Sequence, residues 1–296
     1  MTQSGTRLTL LAAALTALAV IGCKAEITSG SGPAAEMTGD VGISLRDEVE
    51  DELGALTLGS SLDPLGTTQA AGQAASLMAA PCVTPSSITD SDGDGVPDNA
   101  TYVFTAPPCR FTGWRGGTLD IVGQLQIQDP APTSAGFGYG ATLTELRSLF
   151  IGAANTTPRD IRRNGTRTLS GSVSSLLLVS DLQVQRNFDG HSDANIDKQW
   201  TVGFTPATSL QINAPLPSGA LDISGSMTWS RDVEEDFSLV VTTPTPLQYD
   251  ASCTDTVQRI RAGELHAAGT FGDMQGFVRV RWTNCGEEPR FSFQNE

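Results

Sequence analysis

Lysine is almost missing from this chain: Lys24 and Lys198 are the only two in 296 residues. The other cations are arginines, a bias we read as composition. Histidine is equally scarce, at His191 and His266. Eighteen basic residues face 33 acidic ones, for a net charge of −15. An acidic surface of this kind repels polyanions, which excludes nucleic acid as a partner class and disfavours adhesion to anionic lipid faces. Beyond the first 22 residues no apolar run is long enough for a transmembrane helix. The cysteines form no C-x-x-C pair, and two histidines are too few to make up the difference, so a zinc centre is not expected. There is no G-x-S-x-G elbow, no phosphate-cradling glycine loop and no dinucleotide fingerprint. No reaction is written here in motif form.

What is present begins at the N-terminus. Arg7 precedes an apolar run from Leu8 to Ile21, and Gly22-Cys23 ends it. Charged, apolar and small-residue parts in that order make residues 1–22 a secretory signal peptide. The run is about 14 residues, too short to stay in a bilayer as a permanent helix.

The ending Leu18-Ala19-Val20-Ile21-Gly22-Cys23 resembles the lipobox of bacterial lipoproteins. That resemblance implies cleavage before Cys23, acylation of its thiol and anchoring of the mature chain in an envelope membrane. Each buried CH₂ of an acyl chain contributes roughly 0.8 kcal/mol, so two or three chains hold firmly. Lys24 stands where an Asp often signals inner-membrane retention, so the resemblance favours the outer membrane.

Four further cysteines remain: Cys82, Cys109, Cys253 and Cys285. In an oxidising compartment an even count reads as two disulfides, with three possible pairings. Cys82–Cys109 and Cys253–Cys285 close the most local loops and are favoured. Each would contribute roughly 3–4 kcal/mol by the chain-entropy model.

Residues 23–42 are rich in Gly, Ser, Ala and Glu and read as a flexible tether. Residues 43–81 read as helical or irregular. Within them Leu45, Val49, Leu53 and Leu56 recur at helical spacing, with acids on the other face. Thr67–Ala80 could form a second short helix. From residue 82 to 296 the pattern is period-2 alternation. Leu119, Ile121, Gly123, Leu125 and Ile127 share one face, and Leu221, Ile223, Gly225, Met227 and Trp229 repeat the arrangement. Gly117–Leu125 and Gly219–Met227 match at Gly, Leu, Asp, Ile and Gly, and Leu169-Ser170-Gly171 carries part of the echo. A mid-strand glycine on the packed face permits a bend or a close backbone approach. The expected fold is mainly β: a large antiparallel sandwich, or a half-open or closed barrel-like sheet, preceded by one or two short helices. A membrane-spanning barrel is not expected, because lipid-facing aromatic girdles are missing.

One chemical motif stands out at residues 90–98, Asp90-Ser91-Asp92-Gly93-Asp94-Gly95-Val96-Pro97-Asp98. Carboxylates at positions 1, 3, 5 and 9, a turn glycine at 6 and the Val96 carbonyl at 7 can wrap a hard cation. Thr101 stands where an EF-hand needs its bidentate Glu, so a helix–loop–helix hand is not expected. The Asp-Gly-Asp-Gly-Val-Pro-Asp core resembles a thrombospondin type 3 calcium repeat. The resemblance covers nine residues and implies calcium held structurally by Asp90, Asp92, Asp94, Val96 and Asp98. A second acidic loop, Asp189–Asp197, lacks the turn glycine and reads as a hairpin tip.

Neither histidine sits in a catalytic motif. Arg159, Arg162, Arg163 and Arg167 make one basic cluster, read as a solvated loop, and Glu234-Glu235-Asp236 reads as a turn. The leading expectation is a non-enzymatic, lipid-anchored envelope lipoprotein that binds a partner or serves envelope structure. The alternatives are a carrier of a lipid or other hydrophobic ligand on a curled sheet, and a glycan-active hydrolase using loop carboxylates.

Overall fold

A computed structural model describes residues 33–56, 82–86, 89–112, 118–151, 159–187, 194–212, 214–231, 235–253 and 259–295. Among these residues one helix, α1 (Pro33–Ala55), precedes twelve strands. These are β1 (Val83–Pro85), β2 (Asn99–Thr112), β3 (Thr118–Gln128), β4 (Tyr139–Ile151), β5 (Arg159–Ser172) and β6 (Ser175–Asn187). They continue as β7 (Ala194–Pro206), β8 (Gly219–Arg231), β9 (Glu235–Tyr249), β10 (Ile260–Phe271), β11 (Met274–Trp282) and β12 (Arg290–Asn295). Every strand pairs antiparallel with its sequence neighbours, and the order β1 to β12 is unbroken. The result is one up-and-down sheet with β1 at one edge and β12 at the other. Of the architectures expected, the half-open barrel-like sheet is the one found.

The alternation that built the expectation also decides which face turns inward. Along β6, Leu176, Leu178, Leu182 and Val184 are buried while Ser175, Asp181, Gln183 and Gln185 are exposed. On β8, Leu221, Ile223, Met227 and Trp229 face in and Asp222, Ser224, Ser226 and Thr228 face out. The outward residues of these two strands are mostly polar, with Leu177 and Val179 exposed among them on β6. No helix among the described residues is long and apolar enough to cross a membrane.

The sheet curls because a helix occupies its concave side. Met37, Val41, Leu45, Val49 and Leu53 recur every fourth residue and are all buried. Yet α1 is buried on its other sides too. The Tyr139 hydroxyl on β4 donates to the Ala55 carbonyl at 2.6 Å, and Trp229 Nε1 on β8 donates to Ser44 Oγ at 3.1 Å. From the far edge, Phe291 of β12 packs against Gly42, where a Cβ would come 2.6 Å from its ring. Arg46 meets Glu288, just ahead of β12, at 2.5 Å. Strands from both halves of the sheet thus reach one helix. The helix begins at Pro33, inside the stretch read as tether, because the four-residue apolar spacing runs back through Val41 to Met37. The expected second helix at Thr67–Ala80 lies outside the described residues.

Gly123 and Gly225, equivalent positions of the sequence echo, share a backbone state, with φ of +118° and +148°. At Gly225 a Cβ would lie against the Gln199 carbonyl oxygen on β7, and at Gly123 against that of Glu145 on β4. These glycines let neighbouring backbones close up where the sheet bends. Gly171 instead sits at the end of β5, beside the turn into β6. We expect Gly225→Ala to lower stability by about 2–3 kcal/mol through strain and overpacking. An unchanged urea midpoint would show that the close approach is not needed.

Both favoured disulfides are present, Cys82–Cys109 and Cys253–Cys285. The first ties the start of β1 to β2. The second ties the β9–β10 connection to the β11–β12 connection. Each fastens one end of the meander.

Candidate metal centre

The 90–98 loop joins β1 to β2. Asp90, Asp92 and Asp94 come together, with one carboxylate oxygen from each lying within 4.8 Å of the others. Their backbone neighbours hold them in place. Asp90 accepts from the Gly93 and Gly95 amides at 2.8 and 3.0 Å. Asp92 Oδ1 accepts from the Asp94 amide at 3.1 Å, and Asp94 Oδ1 from the Val96 amide at 2.9 Å. Gly95 takes a φ of +91°, the sharp turn its position implied. Asp98 does not join the group. Its two oxygens accept from the Ser91 amide at 2.9 Å and the Ser91 hydroxyl at 2.6 Å. Those bonds hold its carboxyl below the usual range. Asp98 therefore closes the loop as a clasp, and Val96 is buried with its amide on Asp94. Thr101 is committed to β2, with its amide on Ser86 Oγ.

Chain remote in sequence folds over the loop. The Gly136 amide, in the β3–β4 connection, donates to Asp94 Oδ2 at 3.1 Å. Asp129, directly after β3, donates its amide to the Pro97 and Asp98 carbonyls at 3.1 and 3.3 Å. Its carboxyl is pushed up by burial and by the neighbouring charges of Asp94, Asp92 and Asp98. Sequence reasoning passed over Asp129. The available signal was a carboxylate placed by strand pairing, since Gln128 sits opposite Asn99, the residue after Asp98.

The residues present fit a hard cation. They offer oxygens only, converging from three side chains, and Asp92 Oδ2 is buried with no hydrogen-bond partner. Asp90, Asp92 and Asp94 would hold calcium, which would brace the loop.

A second acidic group, Glu48, Asp51 and Glu52 on α1, is not a metal site, because cations of the chain already fill it. Lys198 of β7 places its ammonium against Glu48, and 2.5 Å from Glu52. Arg186 of β6 binds Glu48 through Nε at 2.9 Å and reaches Asp47 at 2.9 Å. Arg163 and Arg167 of β5 meet Asp51, the former at 2.9 Å. Ser180 donates to Glu52 at 2.6 Å. Burial alone would raise Glu48, but Arg186 and Lys198 overturn that and hold it below the usual range. Asp51 is likewise lowered, by Arg163, Arg167 and Lys198, against its burial. The acidic side of α1 is thus buried among cations of the chain. The reading of the basic cluster as a solvated loop is corrected. The cluster lies on strand β5, not in a loop. Arg163 and Arg167 point inward, while Arg162 is exposed beside Glu145 at 3.3 Å.

His266 on β10 is paired with Glu264 at 2.5 Å and stacked on Phe277, with ring centroids 4.1 Å apart. Glu264 also meets Arg279 at 3.1 Å. Glu235 and Asp236 open β9, and Asp197 lies on β7. Cys23 with its apolar run, His191 and Glu234 fall outside the described residues. Compared with protein family models, with curated proteins and with solved structures, the chain matches none.

Proposed function

We propose that this chain is an exported, lipid-anchored lipoprotein of the cell envelope, with the outer membrane favoured. Its β domain, braced by a structural calcium loop, binds a partner or serves envelope structure without catalysing a reaction. The observation that carries the reading is the cysteine pairing. Disulfides persist in oxidising compartments, and four of the five cysteines are joined in two of them. The fifth, Cys23, stands at the end of the apolar run where acylation would place the anchor. The filled concave side favours partner binding or a structural role over a carrier, since α1 lies where a hydrophobic ligand would sit.

The test is metabolic labelling of cells with an alkyne palmitate. The full chain is expected to take up label and sediment with membranes, and globomycin should cause its precursor to build up. Cys23→Ser is expected to lose both label and membrane association. A Cys23→Ser chain that still partitions with membranes would overturn the reading.

A further inference from the structure

We propose that Asp129 is a calcium ligand, supplying from the end of β3 a carboxylate beyond the three that the 90–98 loop brings together. This deepens the calcium reading above and rests on it. Calcium takes six to eight oxygens. The loop brings Asp90, Asp92 and Asp94 together, while Asp98, bonded to Ser91, and Asp129 both lie outside that group of three. Thr101, twelfth in the loop, lies on β2 and offers no carboxylate.

Asp129 meets the shortfall. It is 4% exposed. Its Oδ1 accepts from the Ala131 amide at 2.8 Å, while Oδ2 is buried with no partner. Its amide is fixed on the Pro97 and Asp98 carbonyls, which hold the side chain beside the loop's last turn. A buried carboxylate oxygen with no donor costs free energy, and other carboxylates nearby raise that cost. Asp92 Oδ2 is in the same condition. A divalent cation between Asp92 and Asp129 satisfies both orphan oxygens and neutralises the repulsion. The site is then a bridge between the β1–β2 and β3–β4 connections, and Gly136, bonded to Asp94, already marks where they meet.

The experiment is calorimetric titration of the full chain with calcium chloride, paired with thermal unfolding in calcium and in chelator. Wild type is compared with Asp129→Asn and with the Asp92→Ala/Asp94→Ala pair. Wild type is expected to bind one calcium and to melt lower in chelator. Asp129→Asn should bind about tenfold more weakly or worse, since ligand charge sets affinity in such sites. In chelator it should melt no lower than wild type, because it loses a repelled charge and keeps its shape. If Asp129→Asn binds calcium as wild type does while the Asp92/Asp94 pair does not, Asp129 is no ligand and the loop reading survives. If Asp129→Asn melts lower than wild type in chelator, its role is structural and the proposal fails. If wild type itself neither binds calcium nor responds to chelator, both readings fall.

Discussion

Replacing Lys198 by methionine is expected to lower the folding free energy by about 3–5 kcal/mol, the usual cost of leaving a buried charge without its partner. Lys198 is 1% exposed, and its ammonium lies among Glu48, Glu52 and, at 3.9 Å, Asp51. Methionine fills the same volume, so lost packing is a small part of the effect. What remains is a cluster of carboxylates with one cation fewer. Adding Glu52→Gln to Lys198→Met should restore part of the loss, because it removes a charge that Lys198 had balanced and leaves Ser180 a partner. Urea unfolding of the two single variants and the double closes a cycle that reads the coupling directly. A Lys198→Met midpoint within about 0.5 kcal/mol of wild type, the range of an ordinary surface change, would mean that water reaches the network.

Stability is also expected to fall as pH rises from about 5 to 9, and Glu50→Gln should abolish most of that fall. Burial pushes the Glu50 carboxyl from 4.5 up to about 8, with Arg259 and Arg46 opposing the rise and Asp47 adding to it. The folded state therefore keeps a proton that the unfolded chain releases near its ordinary value. Between those two values the folded state binds more protons than the unfolded one, so stability declines with pH and levels off above about 8. At about 1.4 kcal/mol for each unit, the ceiling is about 5 kcal/mol. Glu48 and Asp51 act with the opposite sign. Held below the usual range by their cations, they stabilise the fold above pH 4 and release that stability as acid protonates them. Urea midpoints at pH 5 and pH 9 should converge at the lower pH and separate at the higher, with Glu50→Gln the more stable at pH 9. Parallel profiles would show that Glu50 is not held protonated.

Much of this architecture was legible in the residue order. Leu45, Val49, Leu53 and Leu56 announced a helix, and all four are fully buried. The period-2 segments became strands, and the disulfides paired locally. The burial of the acidic side of α1 was not legible because its partners are 112 to 150 residues away, brought in by a sheet that curls. No local pattern reports such a distance. A trace did exist in the strands. Lys198 lies in phase with Ile196, Trp200 and Val202 on the inward face of β7, and Arg186 continues the buried phase of Leu182 and Val184 on β6. A cation on the apolar phase of an alternating strand calls for a buried anion. Asp129 escaped for a related reason. The motif at 90–98 read as self-sufficient, and only the pairing of β2 with β3 places a residue some thirty positions later at its rim.

Synthesis runs in the wrong direction for the interior. Glu48 leaves the ribosome 150 residues before Lys198 and 138 before Arg186. Each hairpin of the meander can close as soon as its second strand emerges, since those contacts are near in sequence. The helix cannot: its carboxylates have nothing to neutralise them until the middle of the sheet exists. A chain of this design makes its centre first and finds a use for it late, so any fragment ending before β5 must carry the carboxylates of α1 without the arginines and lysine that neutralise them in the finished fold.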